Sequence, residues 1–199
     1  MKKRTGTNRL FDGPIGRLAA IDMARRNRAA EYEAIEILDP TTLSKVLVVG
    51  CGPGIGVEAL ATRVLFGHVV AVDPSAVMCA MTSKRCASAI DAGHTTVVCG
   101  TVYDLPAQHE FFDGLIAVNA LQLCNPFPET ADVLGRALRP CGKVVAMTHD
   151  WAMRKHFGSV ENAIATWTEM LEQRGFGDFQ TYPGQAENGR SIVFRCSRQ

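Results

Sequence analysis

Short apolar runs alternate with amphipathic segments along most of the chain. Five runs of four to six residues, rich in β-branched side chains, predict buried strands at 46–49, 69–72, 96–99, 114–118 and 143–148. Apolar positions at three- and four-residue steps predict helices over 55–66, 75–92, 128–138 and 159–175. Turn dipeptides at 183–184 and 188–189 separate two further strands, 176–182 and 191–196, which predicts a hairpin.

This order of elements predicts the fold class. Strands that are apolar throughout and alternate with helices are typical of a parallel sheet covered on both faces. We therefore expect an α/β fold with a doubly wound, mostly parallel seven-stranded sheet, a C-terminal antiparallel hairpin and an N-terminal helical extension. We expect a single domain over 1–199, made of a mobile basic arm (1–13), a cap helix (14–39) and an α/β core (40–199).

Composition narrows the class of protein. The chain has 199 residues, of which 47% are hydrophobic and 21% charged, and these values exclude wholesale disorder. No apolar run approaches the roughly 20 residues that cross a bilayer, and no apolar stretch follows the first basic residues as in a signal peptide. We expect a cytoplasmic protein without stable membrane insertion. Its seven cysteines lack metal-ligand spacing, so we expect reduced thiols and no metal site.

Charge is distributed unevenly. Residues 1–28 carry a net charge of +6, and the remainder carries −5. A basic segment can attract an anionic substrate, a membrane surface or nucleic acid. Outside this segment we find no basic patch interleaved with aromatic residues, the pattern that RNA recognition favours. Nucleic acid is therefore a disfavoured partner.

A glycine-rich loop follows the first strand. It reads Gly-Cys-Gly-Pro-Gly-Ile-Gly over residues 50–56, and the second strand ends at Asp73. In a doubly wound sheet, ligands bind beyond the carboxyl ends of the strands. Glycines let the backbone approach a ligand closely, and a carboxylate after the second strand can accept hydrogen bonds from a ribose diol. Loop and acid together predict a nucleoside site.

The glycine spacing separates the nucleoside cofactors. A dinucleotide fingerprint needs glycines at its first, third and sixth positions. Counted from Gly50 the sixth position is Ile55, and counted from Gly52 it is Val57, so both registers fail. No Gly-Lys-Ser/Thr sequence exists to form a phosphate-binding Walker loop. A nicotinamide-dependent oxidoreductase is therefore the weaker alternative.

The loop and the second strand resemble the first two motifs of class I S-adenosylmethionine-dependent methyltransferases. Segments 100–106, 112–119 and 138–145 are similar to later motifs of that family, so the resemblance covers about 44–150. The helix at 16–38 is similar to that of small bacterial type 11-like members. The resemblance implies a Rossmann-like fold, S-adenosylmethionine as cofactor, S-adenosylhomocysteine as product and a small-molecule methyl acceptor.

The resemblance also implies a set of cofactor-binding residues. They are Gly50, Cys51, Gly52, Gly54, Asp73, Pro74, Thr101, Val102 and Asn119. Asp73 would hold the ribose hydroxyls, and Asn119 would line the methionine end of the pocket. At Thr101 the family often has an aspartate that accepts a hydrogen bond from the adenine amino group. This departure leaves the binding of adenine to an uncharged hydroxyl.

Candidate catalytic residues follow the fifth strand. Transfer from an activated sulfonium is an in-line displacement, so positioning supplies much of the catalysis. A general base is needed only when the acceptor atom is protonated. His149 and Asp150 stand directly after the strand, where an imidazole could act as that base and the adjacent carboxylate could orient it.

Four further side chains are candidates for the entrance of the pocket. Asn27 is the polar member of an otherwise apolar helical stripe, which predicts that the N-terminal helix lies over the cofactor mouth with Asn27 towards the pocket. Phe127, Trp151 and Phe157 are candidates for an apolar acceptor site, with core packing as the alternative.

Two alternatives to a methyltransferase remain. A non-catalytic S-adenosylmethionine-binding regulatory module would use the same loop without turnover, and the nicotinamide-dependent oxidoreductase would use it with a degenerate fingerprint. The sequence does not identify the methyl acceptor, and it leaves a homodimer open.

Overall fold

A computed structural model describes residues 13–105, 112–186 and 190–199. Within these ranges the strands are β1 Lys45–Val49, β2 His68–Asp73, β3 Thr95–Cys99, β4 Phe112–Val118, β5 Leu138–His149, β6 Phe176–Pro183 and β7 Ser191–Arg198. The helices are α1 Gly13–Leu38, α2 Ile55–Arg63, α3 Ala76–Arg85, α4 Ala87–Asp91, α5 Phe127–Ala137, α6 Asp150–Phe157 and α7 Val160–Glu172. The predicted basic arm lies outside the described residues except for Gly13, where α1 begins.

The strands form one mixed sheet in the order β3-β2-β1-β4-β5-β7-β6. β1 to β5 pair in parallel, and β7 is antiparallel to both β5 and β6. The predicted doubly wound sheet and its C-terminal hairpin are confirmed. The chain builds outward from β1 in one direction and returns through β4 in the other. The crevice for a ligand therefore opens beyond the carboxyl ends of β1 and β4.

Each face of the sheet is buried by helices. Side chains alternate between the faces along a strand, so neighbouring residues of β1 belong to different clusters. Val46 and Val48 pack with residues of α1 and α2. Leu47 and Val49 belong to the cluster that contains residues of α5 and α7. α1 is thus part of the core as well as the predicted extension.

One helix was not predicted. Residues 150–157 follow β5 and form α6, which begins with Asp150 in its first turn. Its last turn contains Arg154, Lys155 and His156. Acidic residues near a helix N-terminus and basic residues near the C-terminus stabilise the helix through its dipole. This charge pattern is the sequence signal for α6, since its apolar positions are few.

Two boundaries differ from the predicted ones. The helix expected over 75–92 is divided at Cys86 into α3 and α4, and Ser75 caps α3 as predicted. The expected turn at 140–142 lies inside β5, where the pairing with β4 shifts register between Phe112 and Gly114. Cys141 has φ 63°, so the turn signal marks an irregularity within a strand.

No helix among the described residues is long and apolar enough to cross a membrane. This finding agrees with the absence of a long apolar run in the sequence.

Trp167 of α7 is the centre of an aromatic cluster. Its side chain is 0% exposed, and its ring centroid lies 6.3 Å from that of Phe127, 5.7 Å from Phe157 and 5.5 Å from Phe194. The indole N–H has no hydrogen-bond partner among the described residues. The cluster therefore stabilises the fold through packing, and the indole nitrogen adds no hydrogen bond to it.

We expect Trp167→Ala to lower the free energy of unfolding by about 3–5 kcal/mol, as large-to-small substitutions in a packed core do. Trp167→Phe should cost clearly less, because it keeps most of the ring and removes an unpaired donor. Urea denaturation of both variants measures the difference. A loss below about 1 kcal/mol for Trp167→Ala would contradict this account of the cluster.

Candidate cofactor site

The glycine loop is held against the end of β2. The backbone N–H groups of Gly50 and Cys51 donate to the Val72 carbonyl at 2.8 and 3.2 Å. The N–H of Gly52 donates to Asp73 Oδ2 at 3.0 Å. The sequence prediction placed loop and acid at one edge of the sheet, and the structure joins them directly.

The loop needs its glycines for both conformation and space. Gly50, Gly52 and Gly54 have φ values of 70°, 52° and 84°, which side chains other than glycine adopt at a cost. A Cβ on Gly50 would lie 2.4 Å from the Cβ of Ala120, and one on Gly54 would lie 2.9 Å from the Cα of Thr82. The close approach to its neighbours gives the loop its shape.

Asp73 is buried, and its carboxylate is hydrogen-bonded on both oxygens. It is 8% exposed. Besides the bond from Gly52, Oδ1 accepts from the Ser75 N–H at 2.9 Å. Burial raises the pKa of Asp73, and the N–H groups of Ser75 and Gly52 offset only part of that rise. A carboxylate has about four lone-pair sites, so two remain for a ligand. Pro74 follows it and is exposed.

α3 anchors the loop from the other side. The Thr82 hydroxyl donates to the Gly52 carbonyl at 2.8 Å, and it lies 3.6 Å from the Sγ of Cys51. Burial raises the pKa of the Cys51 thiol well above its usual range, so Cys51 is a neutral group that packs within the loop.

At the end of β3, Thr101 and Asp104 form a capping box. The Thr101 N–H and hydroxyl both donate to Asp104 Oδ2, at 2.8 and 3.0 Å. Thr101 is exposed, while Val102 is buried. The structure thus places a carboxylate beside the position where the family often has aspartate. The Thr-x-x-Asp spacing was the signal for it.

Asn119 joins three parts of the site. It follows β4 with φ 52°, and its N–H donates to the Met147 carbonyl at 2.7 Å. Its side-chain Nδ2 donates to Asn27 Oδ1 at 3.1 Å, and its Oδ1 accepts from the backbone N–H of His149 at 3.1 Å. The Asn27 contact brings the N-terminal helix to this end of the sheet, and its position over the cofactor mouth stays a prediction.

The two candidate catalytic residues lie between β5 and α6. His149 is half-buried, and its ring stacks on that of Trp151 with the centroids 6.0 Å apart. The Asp150 carboxylate accepts from the Trp151 N–H at 2.7 Å and lies 3.9 Å from Arg154. These contacts of Asp150 are within its own helix, where it lies in the first turn.

The three aromatic candidates for an acceptor site divide into two groups. Phe127 is 6% exposed and Phe157 packs against Trp167, so both belong to the core. Trp151 is 59% exposed and lies beside His149. Trp151 alone of the three presents a free aromatic surface at this end of the sheet.

A cavity lies between α1 and the glycine loop. Its lining residues are Glu31, Ile35, Val48, Gly50, Cys51, Gly56, Leu60, Ile116 and Val118. Glu31 Oε2 is buried and has no hydrogen-bond partner among the described residues. Burial raises the pKa of Glu31 to about 7, and the Gly56 N–H and the charge of Arg85 offset only part of this. The sequence analysis missed Glu31, although it stands one helical turn after Asn27.

Together, the sheet, the loop and Asp73 define a nucleoside-binding protein of the Rossmann-like α/β class. The fold supports this assignment, because the loop lies where the strand order reverses, and ligands bind there in doubly wound sheets.

Comparisons with known proteins identify the family. A family model described as a methyltransferase domain matches residues 46–142. The uncharacterised methyltransferase YdaC of Bacillus subtilis (strain 168) is 26% identical over 126 residues, which are 63% of this chain and 67% of that protein. These matches and the shared fold support a class I S-adenosylmethionine-dependent methyltransferase, with S-adenosylmethionine as its cofactor. The narrower type 11-like assignment stays a prediction.

Solved structures share the fold. An S-adenosylmethionine-dependent methyltransferase from Aquifex aeolicus has a TM-score of 0.71 and 14% identity, covering 90% of this chain and 96% of that one. The [4+2]-cyclase SpnF has a TM-score of 0.67 and 13% identity, covering 86% and 80%. Because a cyclase has this fold too, the fold by itself does not determine the reaction.

We expect Gly50→Ala to weaken both folding and cofactor binding, because the new Cβ meets Ala120 in a backbone conformation that already disfavours it. The expected loss of unfolding free energy is about 1–3 kcal/mol. Gly93→Ala is the matched control, since Gly93 has φ 77° with no atom within 4 Å of a new Cβ. Thermal melts and calorimetry measure both. Equal losses in the two variants would contradict the role of close packing at Gly50.

Proposed function

We propose that this protein transfers a methyl group from S-adenosylmethionine to a small-molecule acceptor. The observation that carries the proposal is the hydrogen bond from the Gly52 N–H to Asp73, which fixes a glycine loop and a carboxylate at one point of the sheet. The family supports the methyl donor. The class of acceptor and the roles of the residues are our inference.

The residues present fit the donor. The loop glycines leave a cradle that side chains would fill, and the two free lone pairs of Asp73 suit a ribose diol. The exposed Thr101 hydroxyl and the Asp104 carboxylate supply acceptors where adenine is expected. When bound, S-adenosylmethionine supplies a methyl group on a sulfonium, which passes in line to the acceptor atom and leaves S-adenosylhomocysteine.

On the acceptor side, Asn119 and His149 would set the geometry. Asn119 holds the start of α6 through the backbone N–H of His149, and the imidazole beyond β5 stacks on the Trp151 ring. There it would take a proton from the acceptor atom as the new carbon bond forms, and the Trp151 ring would bound the site beside it. Asp150 would act by holding the first turn of α6.

The position of α1 favours a small acceptor. The hydrogen bond between Asn119 and Asn27 supports a position of the helix across the mouth of the site. A cover of this kind restricts the approach to molecules that fit beneath or beside it. A large, flat macromolecular substrate would need an open mouth.

Calorimetry with S-adenosylmethionine, S-adenosylhomocysteine and NADH tests the donor site. We expect micromolar binding of the first two and none of NADH. Asp73→Asn should weaken both by about 10- to 100-fold, because it replaces one acceptor oxygen and removes the charge. Asp91→Asn, at the exposed end of α4, is the control and should bind normally.

The outcomes separate the alternatives. Binding of NADH alone would support the oxidoreductase. Binding of S-adenosylmethionine without methylated product in a screen of small acceptors would support the regulatory module. Either result would overturn the proposed function.

With an acceptor in hand, we expect His149→Gln to lower kcat by about 10²- to 10⁴-fold, the usual contribution of a general base. Its dissociation constant for S-adenosylhomocysteine should not change. His156→Gln, an exposed residue at the end of α6, is the matched control. Steady-state assays with product detection by mass spectrometry measure both. A His149→Gln variant with unchanged kcat would leave positioning as the whole mechanism.

A further inference from the structure

A carboxylate with one buried oxygen lies in the cavity beside the glycine loop, and neither the family motifs nor the proposed mechanism uses it. Glu31 enters this cavity from α1, and its side chain packs against Gly56, where an added Cβ would lie 3.1 Å from Oε2. Its neighbours from the sheet are the aliphatic side chains of Val48, Ile116 and Val118. Among the described lining residues, Glu31 alone provides a charge.

The protein satisfies the Glu31 carboxylate only in part, through the N–H of Gly56. Oε2 is buried and has no hydrogen-bond partner among the described residues. A buried carboxylate oxygen without a donor is costly, and native proteins almost always supply one. Oε2 can therefore accept a hydrogen bond from a ligand, and a cationic donor suits the charge of the carboxylate best.

We propose that Glu31 is a cofactor-binding residue whose carboxylate pairs with the α-ammonium group of S-adenosylmethionine. This inference rests on the proposed function. The cofactor has two cationic centres, but its sulfonium has no hydrogen to donate, whereas the ammonium group has three. Asp73, at the end of β2, would bind the ribose. Glu31, beside Gly50 and Gly56, would bind the amino-acid end of the cofactor.

A purely structural role makes a different prediction. The side chain of Glu31, from α1, packs against Gly56 in the first turn of α2. A carboxylate near a helix N-terminus stabilises that helix. A residue with only that role would affect every ligand of the loop to the same extent. A residue that pairs with the ammonium group would affect only ligands that carry one. The two roles are therefore separable by the choice of ligand.

Binding of three ligands to Glu31→Gln tests the proposal. We expect affinity for S-adenosylmethionine and S-adenosylhomocysteine to fall by about 10- to 100-fold. Affinity for 5′-methylthioadenosine, which lacks the amino-acid end, should stay within about twofold. Glu36→Gln, on the same helix and in an exposed pair with Arg63, is the matched control and should bind all three normally.

Each other outcome overturns the proposal. An equal loss for all three ligands means a structural role, and no loss means no contact. A loss confined to S-adenosylmethionine means that Glu31 faces the sulfonium. Failure of the unsubstituted protein to bind S-adenosylhomocysteine would refute the proposed function, which is a separate result.

A second measurement uses the unsubstituted protein, so it stands even where the variant fails to fold. Burial raises the pKa of Glu31 to about 7, and pairing with a cation lowers it. The charged and titratable groups that act on Glu31 are Arg85 on α3 and the Cys51 thiol in the loop. The carboxyl should therefore lose its proton as the ligand binds.

Calorimetry at pH 7 in buffers of different ionisation enthalpy measures that proton. We expect S-adenosylhomocysteine to release about half a proton, since Glu31 is about half protonated before binding. 5′-Methylthioadenosine should release none. Affinity for S-adenosylhomocysteine should rise about tenfold from pH 6 to pH 8, beyond any change seen in Glu31→Gln. Equal proton release with both ligands would overturn the proposal.

Discussion

The hydrogen bonds between the glycine loop and the end of β2 set the geometry of the rest of the site. Gly50 and Cys51 donate to the Val72 carbonyl, and Gly52 donates to the Asp73 carboxylate. After β1 the chain turns with positive φ at three glycines, so the hydrogen-bond ladder of the sheet no longer holds it. These bonds replace the ladder, so the loop and the carboxylate move as one unit. The close contact of Gly50 with Ala120 then fixes that unit against the end of β4.

Asn119 extends the same unit to the acceptor side. Its backbone bonds to β5, while its side chain bonds to α1 and to the first residue before α6. One short side chain therefore connects α1 to the start of α6, the helix that carries Trp151. A shift of α1 breaks the bond to Asn27, and the freed amide nitrogen then needs another partner. α1 and the residue before α6 are thus linked by hydrogen bonds through a single amide.

The sequence predicted those parts of the molecule that depend on local patterns. β-Branched runs predicted the strands, and alternating glycines followed by an acid at the end of the next strand predicted the donor site. Contacts between distant parts were beyond such reasoning. The bond between Asn27 and Asn119 joins residues 92 positions apart, and the orphaned oxygen of Glu31 becomes visible only when the loop is placed against α1. α6 was missed because its signal is charge rather than apolar period.

The same division explains why the donor is established and the acceptor is not. The family match covers residues 46–142, which contain the loop, Asp73 and Thr101. α1 and α6 lie outside that range, and they carry Asn27, Glu31 and the Trp151 ring. The matched range therefore contains the residues that we propose for the methyl donor, which is the molecule that the family shares. We propose that the helices around this core line the site of the second substrate, so the identity of that substrate must be sought in their side chains rather than in the motifs.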